Sequence, residues 1–178
     1  LRPLRALGPT DDTVTERLFV DWQCVPDNDF PRGRLHYWKS GYLRHRTEAA
    51  IDTLVGLAED LPPGTSGLGL QSLRGAAARV APGATAFPHR TPQDDFLILS
   101  QWSNPAATDR YVAWTRSAFA AMEPHLDTAV YVNNLGEEGP DRVRAAYGAN
   151  HARLTELKRA WDPDNVLRLN QNINPDPQ

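Results

Sequence analysis

The chain has 178 residues, a formal net charge of −3 and 40% hydrophobic residues. This length suits one domain with a buried core, and 19 basic against 22 acidic residues argue against nucleic-acid binding through phosphates. No apolar run approaches the roughly 18 residues that a membrane-spanning helix needs.

The front of the chain gives two further constraints. The chain begins with Leu1 and its one methionine is Met122, so we expect that a preceding segment belongs to the same protein, and the localisation stays open between cytoplasmic and secreted. The single cysteine, Cys24, allows neither an internal disulfide nor a cysteine-based zinc site. The histidines show no metal-ligand spacing, so no metal site is predicted.

The order of predicted elements indicates the fold class. Apolar runs between turn residues predict strands at residues 17–23, 34–38, 67–73, 94–102 and 127–133. Helical periodicity predicts helices within residues 46–61, 105–122 and 140–161. Few apolar residues follow position 164, which predicts an extended tail. We therefore expect an α+β fold with a mixed, mostly antiparallel sheet, helices on one face and an extended C-terminal segment.

Local signals refine the three helices. Asn104 before Pro105 predicts the N-cap of the second helix, and Gly148 predicts a bend or a break in the third. The apolar face of the first helix is predicted to contain Ile51, Leu54, Val55, Ala58 and Leu61.

The segment Tyr131-Val132-Asn133-Asn134 is the first candidate site. Alternation along the last predicted strand places Tyr131 and Asn133 on one face, where a phenol beside an amide suits general-base catalysis and cofactor binding. The alternative is a core tyrosine whose hydroxyl lies at the rim, followed by an asparagine turn.

The run Asn170-Gln171-Asn172-Ile173-Asn174 is the second candidate site. Amide side chains both donate and accept hydrogen bonds, and here they follow an apolar stretch at residues 166–169. Such a run suits the edge of a flat polar ring system such as a flavin. The alternative is an ordinary polar tail.

Several stretches resemble the berberine bridge enzyme-like flavoprotein oxidases. The strongest matches are YVNNLGEEG at 131–139 and AAYGANHARLTELKRAWDPDNVLRLNQNINP at 145–175, which resemble the C-terminal signature of that family. RLHYWKSGYL at 34–43 and RGAAARVAPGATAFPHR at 74–90 resemble further family segments. The resemblance extends over nearly the whole chain.

The resemblance implies one part of a two-part protein. In the family, an upstream domain binds the adenine and pyrophosphate of FAD, and an α+β domain covers the isoalloxazine ring and forms the substrate pocket. Residues 1–139 would be part of the substrate-binding domain, and residues 140–178 a helix and tail that pack on an absent FAD-binding domain. Because no phosphate-binding loop is found, we expect this chain alone not to hold FAD tightly.

The resemblance also assigns roles to residues near the flavin. Tyr131 matches the catalytic tyrosine, which removes a substrate proton as hydride passes to FAD. Asn133 matches an amide close to the flavin, and Asn170 and Asn172 fall near the flavin side of the domain interface.

Two further positions follow from a count back from Trp102. They hold Asp95 and Leu97, where many family members carry a polar or charged pair that faces the substrate. Leu97 departs from that pattern and favours a less polar substrate. Asp95 would face the substrate, and the alternatives are that it assists Tyr131 or is solvated.

These observations lead to two main hypotheses. The first is the substrate-domain portion of an oxidase that oxidises an alcohol or similar C–H group of a small molecule, with hydride transfer to FAD and reoxidation by oxygen. The alternative is a non-catalytic remnant, or a subunit of a split flavoenzyme whose FAD-binding domain is a separate chain; a cofactor-free catalyst is a third, weaker option. Neither nucleic acid nor a membrane is an expected partner. We expect an exposed apolar patch around residues 166–173 and behind Tyr131.

Overall fold

The computed structural model describes residues 2–8, 10–64, 66–136 and 138–176. The chain divides into two compact units, residues 1–34 and residues 35–178. In the described part of the first unit the helices are α1 (Arg2–Arg5) and α2 (Phe19–Gln23).

The prediction of a strand at residues 17–23 is wrong, because α2 (Phe19–Gln23) occupies this segment. The backbone N–H of Trp22 donates to the carbonyl of Leu18 at 3.1 Å, so the bonding is local. A strand needs a neighbouring strand to pair its backbone groups, and the described residues of the first unit include none.

The second unit is built on a three-stranded antiparallel sheet. Its strands are β1 (Leu35–Leu43), β2 (Gly67–Leu73) and β3 (Gln93–Trp102), in the order β1-β3-β2. Tyr42 of β1 lies opposite Asp95 of the central strand. The α+β class is confirmed, although each strand pair within the described ranges is antiparallel rather than mixed.

Helices α3 (Glu48–Glu59) and α4 (Thr108–Met122) cover one face of this sheet. Phe96 and Ile98 of β3 are fully buried there, and they form the main core with side chains of α4 such as Met122. Each such side chain contributes roughly 1.5–3 kcal/mol when removed from water. Since side chains alternate along a strand, β3 presents its odd-numbered residues on the opposite face.

The expected cap at Asn104 forms, although it caps a 3₁₀ turn and α4 itself begins at Thr108. Asn104 accepts a hydrogen bond from the backbone N–H of Ala106 at 3.0 Å, and a 3₁₀ turn at Pro105–Ala107 leads into the helix. The predicted apolar periodicity also matches the side that the helix buries, which includes Tyr111, Thr115, Ala118 and Met122.

The predicted apolar face of α3 is partly wrong. Ile51 and Val55 are 46% and 53% exposed, whereas Ala50 is fully buried and Leu54 and Leu57 pack against the main core. The apolar residues of α3 cover more than one side of the helix. The side that carries the small Ala50 packs against the rest of the unit.

The third predicted helix is broken at Gly148, as expected. α5 (Pro140–Tyr147) and α6 (His151–Trp161) are separated by a 3₁₀ turn at Gly148–Asn150. Gly148 has a φ of +48°, and a β-carbon there would lie 3.5 Å from the His89 ring. The extended segment after α6 is confirmed as far as residue 176, since no helix or strand occurs in it.

The predicted strand at 127–133 is wrong. A 3₁₀ turn forms at Val132–Asn134, and the guanidinium of Arg142 donates to the carbonyls of Thr128 at 2.8 Å and Ser40 at 3.3 Å. Because Arg142 bonds to carbonyls on both this segment and β1, it replaces part of the backbone pairing that a fourth strand would make.

The described ranges offer neither a membrane span nor a metal cluster. No helix among them has the length and apolar character of a bilayer-crossing segment. No three His, Cys, Asp or Glu side chains of those residues gather as a metal ion would require.

Candidate functional site

The turn at Val132–Asn134 joins the two side chains of the first candidate site. The Asn133 amide donates to the Tyr131 hydroxyl oxygen at 2.7 Å. The ring of Tyr131 is half-buried, and Asn133 is exposed. The turn is anchored by Val132, which packs on a second core around the fully buried Val130. The pair therefore meets through a turn and not through strand alternation.

The next residue of the turn, Asn134, contacts the candidate substrate-facing residue Asp95. The Asn134 amide donates to Oδ2 of Asp95 at 2.6 Å. Asp95 is fully buried, and its Oδ1 has no hydrogen-bond partner. Burial raises the pKa of Asp95 to about 6, and the hydrogen bond from Asn134 acts in the opposite direction.

Tyr42 adds a third polar group to this cluster. It lies opposite Asp95 in the sheet, is fully buried, and has a hydroxyl without a hydrogen-bond partner. Burial, then the charges of Asp95 and Tyr131, raise its pKa. Buried polar atoms rarely stay unpaired, and a hydroxyl group, which both donates and accepts, could pair with Tyr42 and Asp95 at once.

An aromatic wall connects the two tyrosines. The ring of Phe87 meets the Tyr131 ring edge to face at 5.8 Å and the His89 ring at 5.9 Å. The His89 ring in turn lies 5.1 Å from that of Tyr42. Burial lowers the pKa of His89, and its Nε2 hydrogen-bonds the carbonyl of Ala146 at 2.8 Å. Tyr131 is thus held against a row of packed rings.

The loop that carries this wall is fixed by polar contacts. The Arg90 guanidinium lies over the Phe87 ring at 4.7 Å and donates to the Phe87 carbonyl at 3.1 Å. The Asn150 amide donates to the carbonyls of Pro82 and Thr85 at 2.8 and 2.9 Å. These contacts make the loop a rigid support for Tyr131.

Leu97 lies on the same face of β3 as Asp95, two residues further along. It is half-buried and lies opposite Ser40 of β1 and Gly69 of β2. Trp38 continues this face and is 39% exposed. The structure therefore places an apolar, partly open surface beside the polar cluster.

The second amide run packs next to the first turn. The Gln171 side chain donates to the Leu135 carbonyl at 2.6 Å, and the Tyr147 hydroxyl donates to the Gln171 carbonyl at 3.3 Å. Asn170, with a φ of +59°, is exposed, whereas Asn172 has a buried Oδ1 without a partner. A groove is lined by Leu135, Gly136, Glu138, Gly139, Pro140, Val143, Asn170, Gln171 and Asn172.

The loop after α6 presents apolar side chains to solvent. Asp162 pairs with Lys158 and accepts from the backbone N–H groups of Val166 and Leu167 at 2.8 and 3.1 Å. Lys158 also donates to the Leu167 carbonyl at 2.6 Å. The expected exposure is confirmed for Val166, Leu167 and Leu169, at 71%, 77% and 85%, whereas the sheet face near Tyr131 is only partly open, with Trp38 39% exposed and Tyr42 fully buried.

Asp162→Ala is expected to release this loop. The change removes the acceptor of two backbone N–H groups and the partner of Lys158, so the amides of Val166 and Leu167 should exchange hydrogen roughly tenfold faster. Hydrogen exchange followed by NMR measures this rate. Asp164→Ala, at an exposed neighbouring acid, is the control and should leave both rates unchanged; equal rates in the two variants would contradict the role of Asp162.

Sequence comparisons place this site in a family. Residues 130–174 match the family model described as berberine and berberine like. The chain is 33% identical over 180 residues to the uncharacterized FAD-linked oxidoreductase YgaK of Bacillus subtilis, covering 98% of this chain and 39% of the relative. It is 35% identical over 101 residues to YvdP of the same organism, covering 57% of this chain and 22% of that relative.

Solved structures show the same fold. A glycopeptide hexose oxidase, DBV29, complexed with teicoplanin, is similar with a TM-score of 0.71 and 24% identity, over 80% of this chain and 33% of that one. A single-substitution variant of berberine bridge enzyme gives a TM-score of 0.69 and 20% identity, over 81% and 34% of the two chains.

The chain is thus a relative of the FAD-linked oxidoreductases. More narrowly, it is similar to the berberine bridge enzyme-like oxidases, which confirms the resemblance seen in the sequence. It spans about two fifths of the length of YgaK and about a fifth of YvdP.

The relatives imply FAD as the cofactor, and the groove beside residues 170–172 fits the edge of its ring. Leu135 and Val143 supply an apolar wall. Asn172 supplies the buried, unpaired oxygen and Asn170 an exposed amide. An isoalloxazine edge carries carbonyl acceptors and an N–H donor, which amides can pair with.

Proposed function

We propose that this chain is the substrate-facing part of a flavin-dependent oxidase that oxidises an alcohol or similar C–H group of a small molecule. One observation carries the proposal. A single turn, inside the segment that matches the family, holds Tyr131 through Asn133 at 2.7 Å and Asp95 through Asn134 at 2.6 Å. Oxidation of a hydroxyl-bearing carbon requires a base that accepts the hydroxyl proton and a group that holds the substrate in place, and Tyr131 and Asp95 offer these two roles at fixed positions.

Tyr131 is the group proposed to take the substrate proton. FAD, when bound, would supply the hydride acceptor, with oxygen as the final oxidant. In its deprotonated form Tyr131 would receive the hydroxyl proton on the phenol oxygen, and the Asn133 amide, which donates to that oxygen, fixes its position. Phe87 holds the ring in place from the side.

Asp95 and Tyr42 are proposed to bind a hydroxyl group of the substrate. Oδ1 of Asp95 accepts from that hydroxyl and the Tyr42 hydroxyl donates to it, which pairs both unsatisfied atoms. Leu97 and the half-exposed Trp38 then contact an apolar part of the same molecule. A substrate with one hydroxyl end and one apolar end fits this surface.

The tail is proposed to contact the cofactor and its domain. Asn170 and Asn172 bind the ring edge, and the exposed Val166, Leu167 and Leu169 pack on an FAD-binding domain. In this proposal residues 1–139 belong to the substrate side and residues 140–178 to the cofactor side. Relatives that are more than twice as long as this chain have room for such a domain.

A fusion with the unmatched part of YgaK tests the proposal. The chain alone should show no flavin absorbance after desalting, because it offers only ring-edge contacts. The fusion should retain a flavin band and release hydrogen peroxide with members of a panel of alcohols and sugars. A flavin-loaded fusion that neither releases peroxide nor is reduced anaerobically by any panel member would favour the non-catalytic alternative.

A further inference from the structure

Two adjacent acids of β3 have opposite surroundings. Both Asp94 and Asp95 are fully buried. Asp94 is bound by Arg46 at 2.8 and 2.9 Å and by Arg74 at 3.2 Å. Asp95 forms no ion pair with any cationic side chain of the described ranges, and the hydrogen bond it is seen to accept there comes from Asn134 at 2.6 Å.

The other side chains near Asp95 are neutral or weakly acidic. Tyr42 lies opposite it on β1 and Gln71 lies opposite it on β2. Tyr131, from the turn, lies close enough to Tyr42 to influence its ionisation, as Asp95 does. His89 packs on Tyr42 and has a lowered pKa, so no positive charge is supplied from this side near pH 7.

We propose that Asn134 is a positioning residue that holds the Asp95 carboxylate by Oδ2, stabilises its ionised form and keeps Oδ1 free as an acceptor. An amide donor bound to one carboxylate oxygen fixes the plane of the group. It also favours the charged form, since it donates to it. Asn133 and Asn134 then have separate roles on one turn, because Asn133 positions Tyr131 and Asn134 positions Asp95.

The ionisation of Asp95 in this chain tests the inference without any flavin. Aspartate labelled with ¹³C at the carboxyl group is followed by NMR from pH 3 to 9, and the Asp95→Asn spectrum assigns the signal. Asn134→Leu keeps the branched shape of the side chain but removes the donor, so it should raise the pKa of Asp95 by about one unit. Asn134→Gln retains an amide and should raise it less.

Asn133→Leu is the matched control, because that amide bonds to Tyr131 and not to Asp95. It should leave the Asp95 titration unchanged. The inference is overturned if Asn134→Leu does not move the titration, or if Asn133→Leu moves it equally, since the second result would show only a loosened turn.

The consequence for turnover rests on the proposed function and is measured separately. In the flavin-loaded fusion, Asn134→Leu should shift the acid limb of the pH–rate profile upward by the same amount as the titration. A shifted titration with an unshifted profile would refute the role of Asp95 in the proposed reaction and leave the positioning by Asn134 intact.

Discussion

Replacing the two adjacent acids of β3 by their amides is expected to change stability in opposite directions at pH 8. Asp95→Asn should raise the free energy of unfolding by up to about 3 kcal/mol. Asp94→Asn should lower it by about 2 kcal/mol. Neighbouring residues of one strand face opposite sides of the sheet, which is why the same side chain meets such different surroundings.

The gain expected for Asp95→Asn follows from its burial. The pKa of Asp95 is raised to about 6, against about 3.9 in an unfolded chain. Because the folded value is the higher one, the stabilisation by the neutral acid is fully present below about pH 4 and is lost as pH rises through about 6. An amide carries no charge at any pH, so the Asp95→Asn variant keeps this stabilisation as the pH rises.

The loss expected for Asp94→Asn has the opposite sign. Arg46 and Arg74 hold the pKa of Asp94 below its usual value, and burial opposes them. A depressed pKa contributes stability above the unfolded value, which is lost as pH falls through the folded one. The arginines are about half exposed, so the expected loss lies below that of a fully buried pair.

Urea unfolding at pH 3.5 and pH 8 measures both effects. At pH 8 the variants should lie on opposite sides of the wild type, and at pH 3.5 the Asp95→Asn chain should match the wild type closely. An Asp95→Asn variant that is less stable than the wild type at pH 8 would show that the carboxylate has partners which offset its burial.

The uneven success of sequence reasoning has a physical origin. The cap at Asn104 and the break at Gly148 depend on backbone groups within a few residues, so a local pattern could predict them. The segments 17–23 and 127–133 carry strand-like residues, but a strand exists only with a pairing partner. In the second segment Arg142 donates to the carbonyls of Thr128 and Ser40. The position of Arg142 depends on the tertiary fold, so a local sequence pattern could not predict it.

The candidate site shows the same division between local and distant information. Tyr131 and Asn133 are two residues apart, and their side chains do meet, although by a turn. The bond between Asn134 and Asp95 spans 39 positions, and Tyr42 reaches the cluster through strand pairing. One available signal was Asn134 itself, whose position next to Asn133 marked a second amide on the same turn.

The burial of a charged Asp95 lowers the free energy of unfolding, and interactions elsewhere in the chain offset this loss. Natural proteins tend to keep such costs where a reaction needs them. The adjacent Asp94, which bridges Arg46 and Arg74, fixes the strand at the same point. Stability and a buried carboxylate that is proposed to bind substrate are therefore supplied by neighbouring residues on opposite faces of β3.

Tyr131→Phe is expected to lower turnover of the flavin-loaded fusion by about 10²- to 10⁴-fold, the usual effect of removing a general base. The ring and its contact with Phe87 are kept, so the flavin content should stay unchanged. Asn133→Leu leaves the phenol but removes the donor to its oxygen, and it should lower turnover less. Peroxide release at saturating substrate measures both.

Tyr37→Phe is the control for this pair. Tyr37 lies opposite Ser100 in the sheet, and its hydroxyl accepts a hydrogen bond from Arg116 at 3.2 Å, so its loss should change turnover less than twofold. Equal losses in Tyr37→Phe and Tyr131→Phe would point to general weakening of the fold. Full turnover in Tyr131→Phe would mean that another group accepts the proton. The buried Asp95, whose Oδ1 is unpaired, is the carboxylate of the cluster that could accept it.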